Sequence, residues 1–199
     1  MENTGTPIRP ELYHGSREKG LAFTGLSGKK PILLMVGGSL GAQAVNEALR
    51  EALPLLLPDF DIVHLCGKGK AEPALQTEGY LQYEYINEQM ADLFAMADIV
   101  LSRAGANAVF ELLALRKPAL LVPLTAKSTR GDQLLNAEYF ERRGYAKKLL
   151  QQDMTAVTLS EALHDLYRNR ETYRAAMATA ENVDGTQPIL DIILRAANA

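Results

Sequence analysis

The feature that most constrains this chain is a short apolar run at residues 31–36, which leads directly into a glycine-rich turn at residues 37–41. The run is apolar at nearly every position rather than at alternate positions, which is typical of a strand buried on both faces. A helical pattern follows from residue 42 to about residue 53, and Pro54 is expected to end it. This order indicates a parallel sheet with helices packed on both sides.

The same alternation continues along most of the 199 residues. It requires right-handed crossover connections between parallel strands. The predicted fold class is therefore α/β, with a Rossmann-like parallel sheet. We expect further strands at residues 61–66, 80–85, 98–102, 118–122 and 146–150, and helices at residues 88–97, 106–115 and 131–143, with two or three more between residues 159 and 197.

The first 30 residues differ from the rest, because they are rich in glycine, threonine and basic residues and show little periodicity. We interpret residues 1–30 as a connecting segment, with a short helix expected over residues 11–20. Residues 31–199 are the predicted domain. So irregular a beginning suggests a chain cut from a longer protein.

Composition excludes several functional classes. The 21 Lys and Arg residues and 24 Asp and Glu residues give a net charge of -3, which argues against a general nucleic-acid binder because such proteins need a basic surface. Cys66 is the single cysteine, so an internal disulfide and a cysteine-rich zinc site are excluded and a reducing, cytosolic compartment is indicated. No apolar run approaches the ~20 residues of a membrane-spanning helix, and no secretory signal is expected.

The glycine-rich turn at residues 37–41 is a candidate phosphate site. Glycines let the backbone approach a ligand closely, and the N–H groups and dipole of the following helix favour an anion. Ser39 would add a hydroxyl donor between Gly38 and Gly41. The pattern is neither the dinucleotide-binding Gly-x-Gly-x-x-Gly nor a P-loop, so a plain strand-to-helix turn is an equal alternative.

A second loop of this kind, at residues 102–107, follows a predicted strand, and Glu111 lies about one turn inside the next helix. A carboxylate there can accept hydrogen bonds from both hydroxyls of a ribose. The alternative is that Glu111 only compensates the helix dipole. Because the carboxyl ends of parallel strands share one edge of a sheet, the two loops are expected to converge on one ligand.

A third polar loop precedes the helix that begins near Asp132 and Gln133, two side chains suited to binding sugar hydroxyls. The loop therefore extends the candidate site toward a sugar. The alternative is that Asp132 is an ordinary first-turn acid and that the loop residues Lys127 and Arg130 are solvated charges.

We interpret the remaining polar candidates as structural. The acidic pair Asp59 and Asp61 begins a strand, which places it at the wrong edge of the sheet, and Cys66 is expected to be a buried apolar residue. The three histidines show neither metal-ligand spacing nor an adjacent nucleophile, so none is expected to be catalytic: His14, His64 and His164.

The three loops, together with a fourth motif near the start of the chain, resemble a known family. They read Gly-Thr-Pro-Ile-Arg at residues 5–9, Gly-Gly-Ser-Leu-Gly-Ala at residues 37–42, Arg-Ala-Gly-Ala at residues 103–106 with Glu111 after it, and Asp-Gln-Leu-Leu-Asn-Ala at residues 132–137. This ordered set is similar to the C-terminal half of MurG-type transferases, which add N-acetylglucosamine to undecaprenyldiphospho-muramoylpentapeptide and have the two-domain GT-B fold. Thr6 departs from the family's usual Asn, and the segment at residues 85–90 is one residue longer than in some relatives.

The resemblance implies that this half binds UDP-N-acetylglucosamine. Carried over by position, the residues implied to contact it are Arg9 beside the uridine, Ile86 at the uracil through its backbone, Gly38, Ser39 and Gly41 at the diphosphate, Ala106, Asn107 and Ala108 along the second loop, Glu111 at the ribose, and Asp132 and Gln133 at the sugar.

The resemblance also implies what lies outside this chain. The family's lipid I acceptor and its general base belong to an N-terminal domain to which nothing here corresponds. No catalytic residue, metal or cofactor is therefore expected in this chain, and membrane contact is expected only through the missing domain, on the cytoplasmic, inner face of the bacterial cell membrane. Four alternatives stay open: the sugar-donor half of a related glycolipid transferase such as a diacylglycerol glycosyltransferase, one subunit of a two-subunit transferase, a UDP-sugar-binding module without turnover, and a UDP-sugar epimerase of similar fold.

Overall fold

The computed structural model describes residues 5–37, 42–124, 131–181 and 183–197. The strands in these residues are Ile32–Val36 (β1), Asp61–Leu65 (β2), Tyr80–Tyr83 (β3), Ile99–Ser102 (β4), Ala119–Leu121 (β5) and Ala146–Lys148 (β6). All pair in parallel in a single sheet, in the order β3-β2-β1-β4-β5-β6. The predicted α/β class with a Rossmann-like parallel sheet is confirmed.

The helices follow the strands as the alternation predicts. A 3-10 helix at Pro10–His14 opens the described chain, and a second one lies at Gln151–Asp153. The α-helices are Arg17–Thr24 (α1), Gln43–Leu56 (α2), Met90–Met96 (α3), Ala106–Ala114 (α4), Asp132–Arg142 (α5), Ala156–Arg168 (α6), Arg170–Ala178 (α7) and Thr186–Ala197 (α8).

Helices cover both faces of the sheet, and alternate residues of β1 point to the two sides. Leu33 and Met35 are buried together with residues of α2 and α6, whereas Ile32 and Leu34 are buried with residues of α3, α4 and α5. All four side chains are fully shielded from solvent. This two-sided burial explains why the run is apolar throughout, since each such side chain contributes about 1.5–3 kcal/mol when buried.

The helix after β1 runs further than the sequence predicts, because α2 continues through Pro54 to Leu56. Proline lacks the N–H that would bond to the carbonyl oxygen four residues back. Pro54 lies in the last turn, however, and the Leu57 N–H still donates to the Leu53 carbonyl oxygen at 2.9 Å. Leu53 and Leu56 are buried, so the packing of this face outweighs one missing hydrogen bond.

The amino-terminal segment packs against the sheet domain. Instead of one helix over residues 11–20, it forms the first 3-10 helix and then α1, which Ser16 caps by accepting a hydrogen bond from the Lys19 N–H. A Cβ at Gly20 would lie only 2.6 Å from the Asp92 carbonyl oxygen, just inside α3. The predicted helix bounds are wrong because packing against a distant helix sets them. The role of this segment as a linker between domains stays a prediction.

The order of the strands reverses between β1 and β4, which are neighbours in the sheet. α2 packs on one face and α4 on the other, so the two helices diverge from adjacent strands. In open parallel sheets, ligands bind in the crevice that such a reversal opens at the carboxyl ends of the strands. The fold therefore brings the loops after β1 and β4 to one place.

Candidate functional site

A crevice of about 660 Å³ lies at this reversal point, a size suited to a small-molecule ligand. Its walls are the ends of β1 and β4, the segment after β5, and the first turns of α2, α4 and α5, together with Lys70 and Gln151. We call it the central crevice. A separate cavity of about 540 Å³ lies beside residues 71–82, and none of the described candidate residues lines it.

Three helices begin beside the central crevice without a side-chain cap. The residues before α2, α4 and α5 are Ala42, Gly105 and Gly131, which have no side-chain acceptor. Away from the crevice, Ser16 caps α1 and Thr155 caps α6 with their hydroxyl oxygens, whereas Gln89 before α3 and Asn169 before α7 form no such cap. The first N–H groups of an uncapped helix need another acceptor, and together with the helix dipole they favour an anion such as phosphate.

Side chains at the end of β4 tie the walls of the crevice together. The Ser102 hydroxyl donates to the Val36 carbonyl oxygen at 3.2 Å, which joins β4 to β1. The Arg103 guanidinium donates to the Val122 carbonyl oxygen at 3.0 Å, which joins β4 to the end of β5. Burial lowers the pKa of Arg103 below its usual value. These bonds hold three strand ends in fixed relative positions.

The start of α5 is tied to the same walls. Gln133 lines the crevice, and its Oε1 accepts a hydrogen bond from the Leu124 N–H at 3.0 Å. One turn later, the Asn136 amide donates to the Ala104 carbonyl oxygen at 3.0 Å. Asp132 is exposed at the first position of α5. Gln133 therefore lies at the crevice, and part of its hydrogen-bonding capacity holds the chain after β5.

Arg9 and Glu111 meet across 102 residues of sequence. The Arg9 guanidinium donates two hydrogen bonds to the Glu111 carboxylate, at 2.8 Å and 3.1 Å. The hydrogen bond to Glu111 raises the pKa of Arg9, as does the nearby Tyr85. The Glu111 side chain is only 12% exposed and lies in the second turn of α4, beyond the first turn where a dipole-compensating acid acts. Arg9 therefore holds the Glu111 carboxylate in a fixed orientation, on the face of α4 that also carries Ala108.

Several other candidate residues lie around this edge of the sheet. Ile86 follows β3, which ends at Tyr83 rather than at the predicted residue 85, and its side chain is buried, so only its backbone can meet a ligand. Ala106 and Asn107 are exposed in the first turn of α4, and Ala108 lines the crevice. The remaining predicted residues and loop charges lie outside the described part of the chain: Gly38, Ser39, Gly41, Lys127 and Arg130.

Sequence reasoning missed two crevice residues, Lys70 and Gln151. Lys70 follows β2, and the buried Arg50 holds it by donating to its carbonyl oxygen at 2.5 Å. Gln151 opens the 3-10 helix after β6. Both follow a parallel strand, so their position at the carboxyl edge was a usable signal. Their approach to the crevice depends on strand order, which the chain pattern alone does not reveal.

The polar residues interpreted as structural do not line the central crevice. His164 Nε2 lies 3.0 Å from an Asp59 carboxylate oxygen before β2, and Cys66 is fully buried, which raises the pKa of its thiol. Among the residues that the structure describes, no group of His, Cys, Asp and Glu side chains could hold a metal ion. Within the same residues, no helix is both long and apolar enough to cross a membrane.

Comparisons with known proteins show the family of the chain. The family model for the glycosyltransferase family 28 C-terminal domain matches residues 32–192. The UDP-N-acetylglucosamine--N-acetylmuramyl-(pentapeptide) pyrophosphoryl-undecaprenol N-acetylglucosamine transferase of Geobacillus thermodenitrificans (strain NG80-2) is 50% identical over 194 residues, which are 97% of this chain and 54% of that protein. The second such transferase of Bacillus cereus (strain ATCC 10987 / NRS 248) is 49% identical over 194 residues, which are 97% of this chain and 55% of that protein.

A solved structure agrees as well. The crystal structure of MurG from Acinetobacter baumannii superposes with a TM-score of 0.71 at 28% identity, covering 94% of this chain and 55% of that one. The chain spans about half the length of the curated relatives it matches. The family model and the solved structure agree on the fold, and the chain belongs to glycosyltransferase family 28, as a C-terminal domain of that family.

Proposed function

We propose that the central crevice binds UDP-N-acetylglucosamine and that this chain is the sugar-donor-binding domain of an inverting transferase. The observation that carries the proposal is the convergence of three uncapped helix starts on one crevice beside the Arg9–Glu111 pair. A nucleoside diphosphate sugar needs anion-binding N–H groups for its diphosphate and a carboxylate for its ribose. The names of the two related transferases support UDP-N-acetylglucosamine as the ligand.

The diphosphate lies against the first turns of α2 and α4 in this proposal. Gly105 presents the N–H groups of α4 without a Cβ between them and the ligand, and an added Cβ there would meet nothing within 4 Å. Lys70 adds positive charge from the wall beside β2. Gly38, Ser39 and Gly41 are assigned to the same diphosphate by the family resemblance.

The nucleoside lies against Glu111 and Ile86. Arg9 engages both carboxylate oxygens of Glu111, and each oxygen keeps a further lone pair for a ribose hydroxyl. A carboxylate already oriented by a bidentate guanidinium loses little freedom on binding. The uracil meets the Ile86 backbone, Ala106, Asn107 and Ala108 line the same side, and Asp132 and Gln133 hold the sugar.

The reaction proposed for the whole protein is a single displacement. The 4-hydroxyl of the N-acetylmuramic acid of lipid I attacks the anomeric carbon, a new C–O bond forms and the bond to the diphosphate oxygen breaks. UDP leaves with the bonding electron pair, and the hydroxyl proton passes to a base. The helix N–H groups and Lys70 stabilise the charge that develops on the leaving diphosphate. We assign the base and the lipid site to a second domain, at the inner face of the cell membrane.

Calorimetry on the 199-residue chain tests the proposal. The chain should bind UDP and UDP-N-acetylglucosamine, and Glu111→Ala should weaken both by about tenfold to a hundredfold because they share the ribose. The matched control is Glu161→Ala on the exposed face of α6, which should change neither affinity. Absence of UDP binding by the unaltered chain, or a Glu111→Ala variant that binds both ligands as tightly as the unaltered chain, would overturn the proposal.

A turnover assay separates the alternative functions. The assay uses a two-domain protein in which this chain is the C-terminal domain. When it is mixed with UDP-N-acetylglucosamine and lipid I, UDP and a β-1,4-linked product should form together. Product formed only when diacylglycerol replaces lipid I would identify a different glycolipid transferase, and a free epimerised sugar nucleotide would identify an epimerase. The isolated chain should bind the sugar donor without transferring it.

A further inference from the structure

Gln151 carries an unusual polar atom. It opens the 3-10 helix after β6 and lines the central crevice. Its Oε1 is buried and accepts no hydrogen bond, and among the described residues the only other buried side-chain polar atom of this kind is the Arg50 Nε. Buried acceptors in native proteins are almost always satisfied, so an exception at a ligand site calls for a donor that the ligand supplies.

The chemistry of the acceptor limits what can satisfy it. A carbonyl oxygen needs an O–H or N–H donor, and an ionised diphosphate has neither. The ribose lies with Glu111 in the proposed site, and neither Arg9 nor Glu111 is among the crevice-lining residues that Gln151 joins. The sugar is the part of the ligand that offers hydroxyl and acetamido N–H donors elsewhere in the crevice.

Gln133 strengthens this assignment. It lines the same crevice, but its Oε1 already accepts from the Leu124 N–H at 3.0 Å. Its amide can still donate, so it suits an acceptor on the sugar. Acceptors for the sugar's own donors must come from other residues. The exposed Asp132 carboxylate is one of them, and the Gln151 Oε1 is the unpaired acceptor of a residue that lines the crevice.

We propose that the Gln151 Oε1 accepts a hydrogen bond from a hydroxyl or the acetamido N–H of the bound sugar, which makes Gln151 a specificity-determining residue of the crevice. The inference rests on the proposed function, because it assumes that a UDP-sugar occupies the crevice. A site that loses affinity when a buried acceptor is left unpaired can reject sugars that lack the matching donor.

The test compares the affinities for UDP-N-acetylglucosamine and UDP, measured by calorimetry, with thermal unfolding of the same samples. Gln151→Leu should weaken UDP-N-acetylglucosamine about tenfold and leave UDP within about twofold. Because the oxygen has no partner in the free protein, the melting temperature should not fall. The matched control is Gln152→Leu at the exposed neighbouring position, which should change neither affinity.

A second variant identifies the atom. Gln151→Glu keeps an acceptor and removes the amide donors, so the ratio of the two affinities should stay close to that of the unaltered chain. Equal loss for both ligands, no loss in Gln151→Leu, or a lowered melting temperature would overturn the inference while the proposed function stands. Failure of the unaltered chain to bind UDP-N-acetylglucosamine would overturn the proposed function and this inference with it.

Discussion

The amino ends of the parallel strands form one edge of the sheet, and their carboxyl ends form the other. The two edges differ in how the backbone N–H and carbonyl groups find hydrogen-bond partners. At the amino edge, the Asp98 carboxylate before β4 accepts a hydrogen bond from the Ile32 N–H at 2.8 Å, and Arg17 lies 3.6 Å from the same carboxylate. Lys117, before β5, donates to the Ala97 carbonyl oxygen at 2.9 Å. Side chains of the protein thus complete this edge.

At the carboxyl edge, the helices α2, α4 and α5 begin at alanine or glycine, and the side chains tie strand ends to one another rather than capping helices. The comparison therefore separates residues that mainly stabilise the fold from residues that are proposed to bind the ligand. Removing a side chain at the amino edge should cost stability, whereas changes at the three helix starts of the carboxyl edge should cost affinity.

The largest expected effect is at the amino edge. Asp98→Ala leaves the Ile32 N–H without its carboxylate acceptor and should lower the free energy of unfolding by about 1.5–3 kcal/mol. The affinity for UDP-N-acetylglucosamine should not change. Chemical denaturation and calorimetry measure the two quantities. Glu51→Ala, on the exposed side of α2, is the control and should stay within about 0.5 kcal/mol. A loss of affinity with stability retained would erase the distinction between the edges.

A buried polar network beside α2 makes stability depend on pH. His64 Nε2 lies 3.0 Å from the Asn46 Oδ1, and its Nδ1 lies 2.8 Å from the Tyr80 hydroxyl. Burial, with a contribution from the positive charge of Arg50, lowers the pKa of His64 to about 3. The unfolded chain binds this proton near pH 6.5 and the folded chain does not, so stability falls as the pH drops below 6.5. The loss at pH 5 should be about 2 kcal/mol.

Denaturation curves between pH 7 and pH 5 check this value. His64→Gln should flatten the pH dependence whatever its effect on stability at pH 7. A slope that survives in His64→Gln would assign the proton uptake to other groups.

The smallest expected effect concerns charge at the carboxyl edge. Lys70→Ala should weaken UDP-N-acetylglucosamine by about fivefold, because a charge in the crevice wall is partly screened by solvent. Lys68→Ala, an exposed neighbour outside the crevice lining, should have no effect. Equal losses for the two variants, measured at the same ionic strength, would indicate general charge attraction rather than a contact at the crevice.

The sequence predicts what local chemistry decides. Uninterrupted apolar runs such as residues 32–36 indicate buried parallel strands, and glycine at position 105 indicates an open helix start, since both signals lie within a few residues. The end of α2 is missed because burial of Leu53 and Leu56 outweighs the effect of Pro54. Helix propensity alone does not include the free energy gained by burying side chains, so it places the end of the helix too early.

Contacts between distant residues are the part that the sequence does not predict. The pairing of Arg9 with Glu111 depends on how the amino-terminal segment packs. Lys70 and Gln151 reach the crevice only because β2 and β6 take particular places in the sheet order. The family resemblance implies ligand roles for Arg9 and Glu111, but not their bond to each other.

We propose that an uncapped helix start holds the diphosphate. The affinity of Gly105→Asp for UDP tests this most directly. Gly105 has ordinary extended backbone angles and open space around a Cβ, so aspartate fits and can cap α4. Stability should be unchanged or raised by a few tenths of a kcal/mol, while UDP affinity should fall at least about tenfold, because the carboxylate takes the N–H groups and repels phosphate. Gly105→Asn, a cap without charge, should lose less. Unchanged UDP affinity in a folded Gly105→Asp variant would contradict the account.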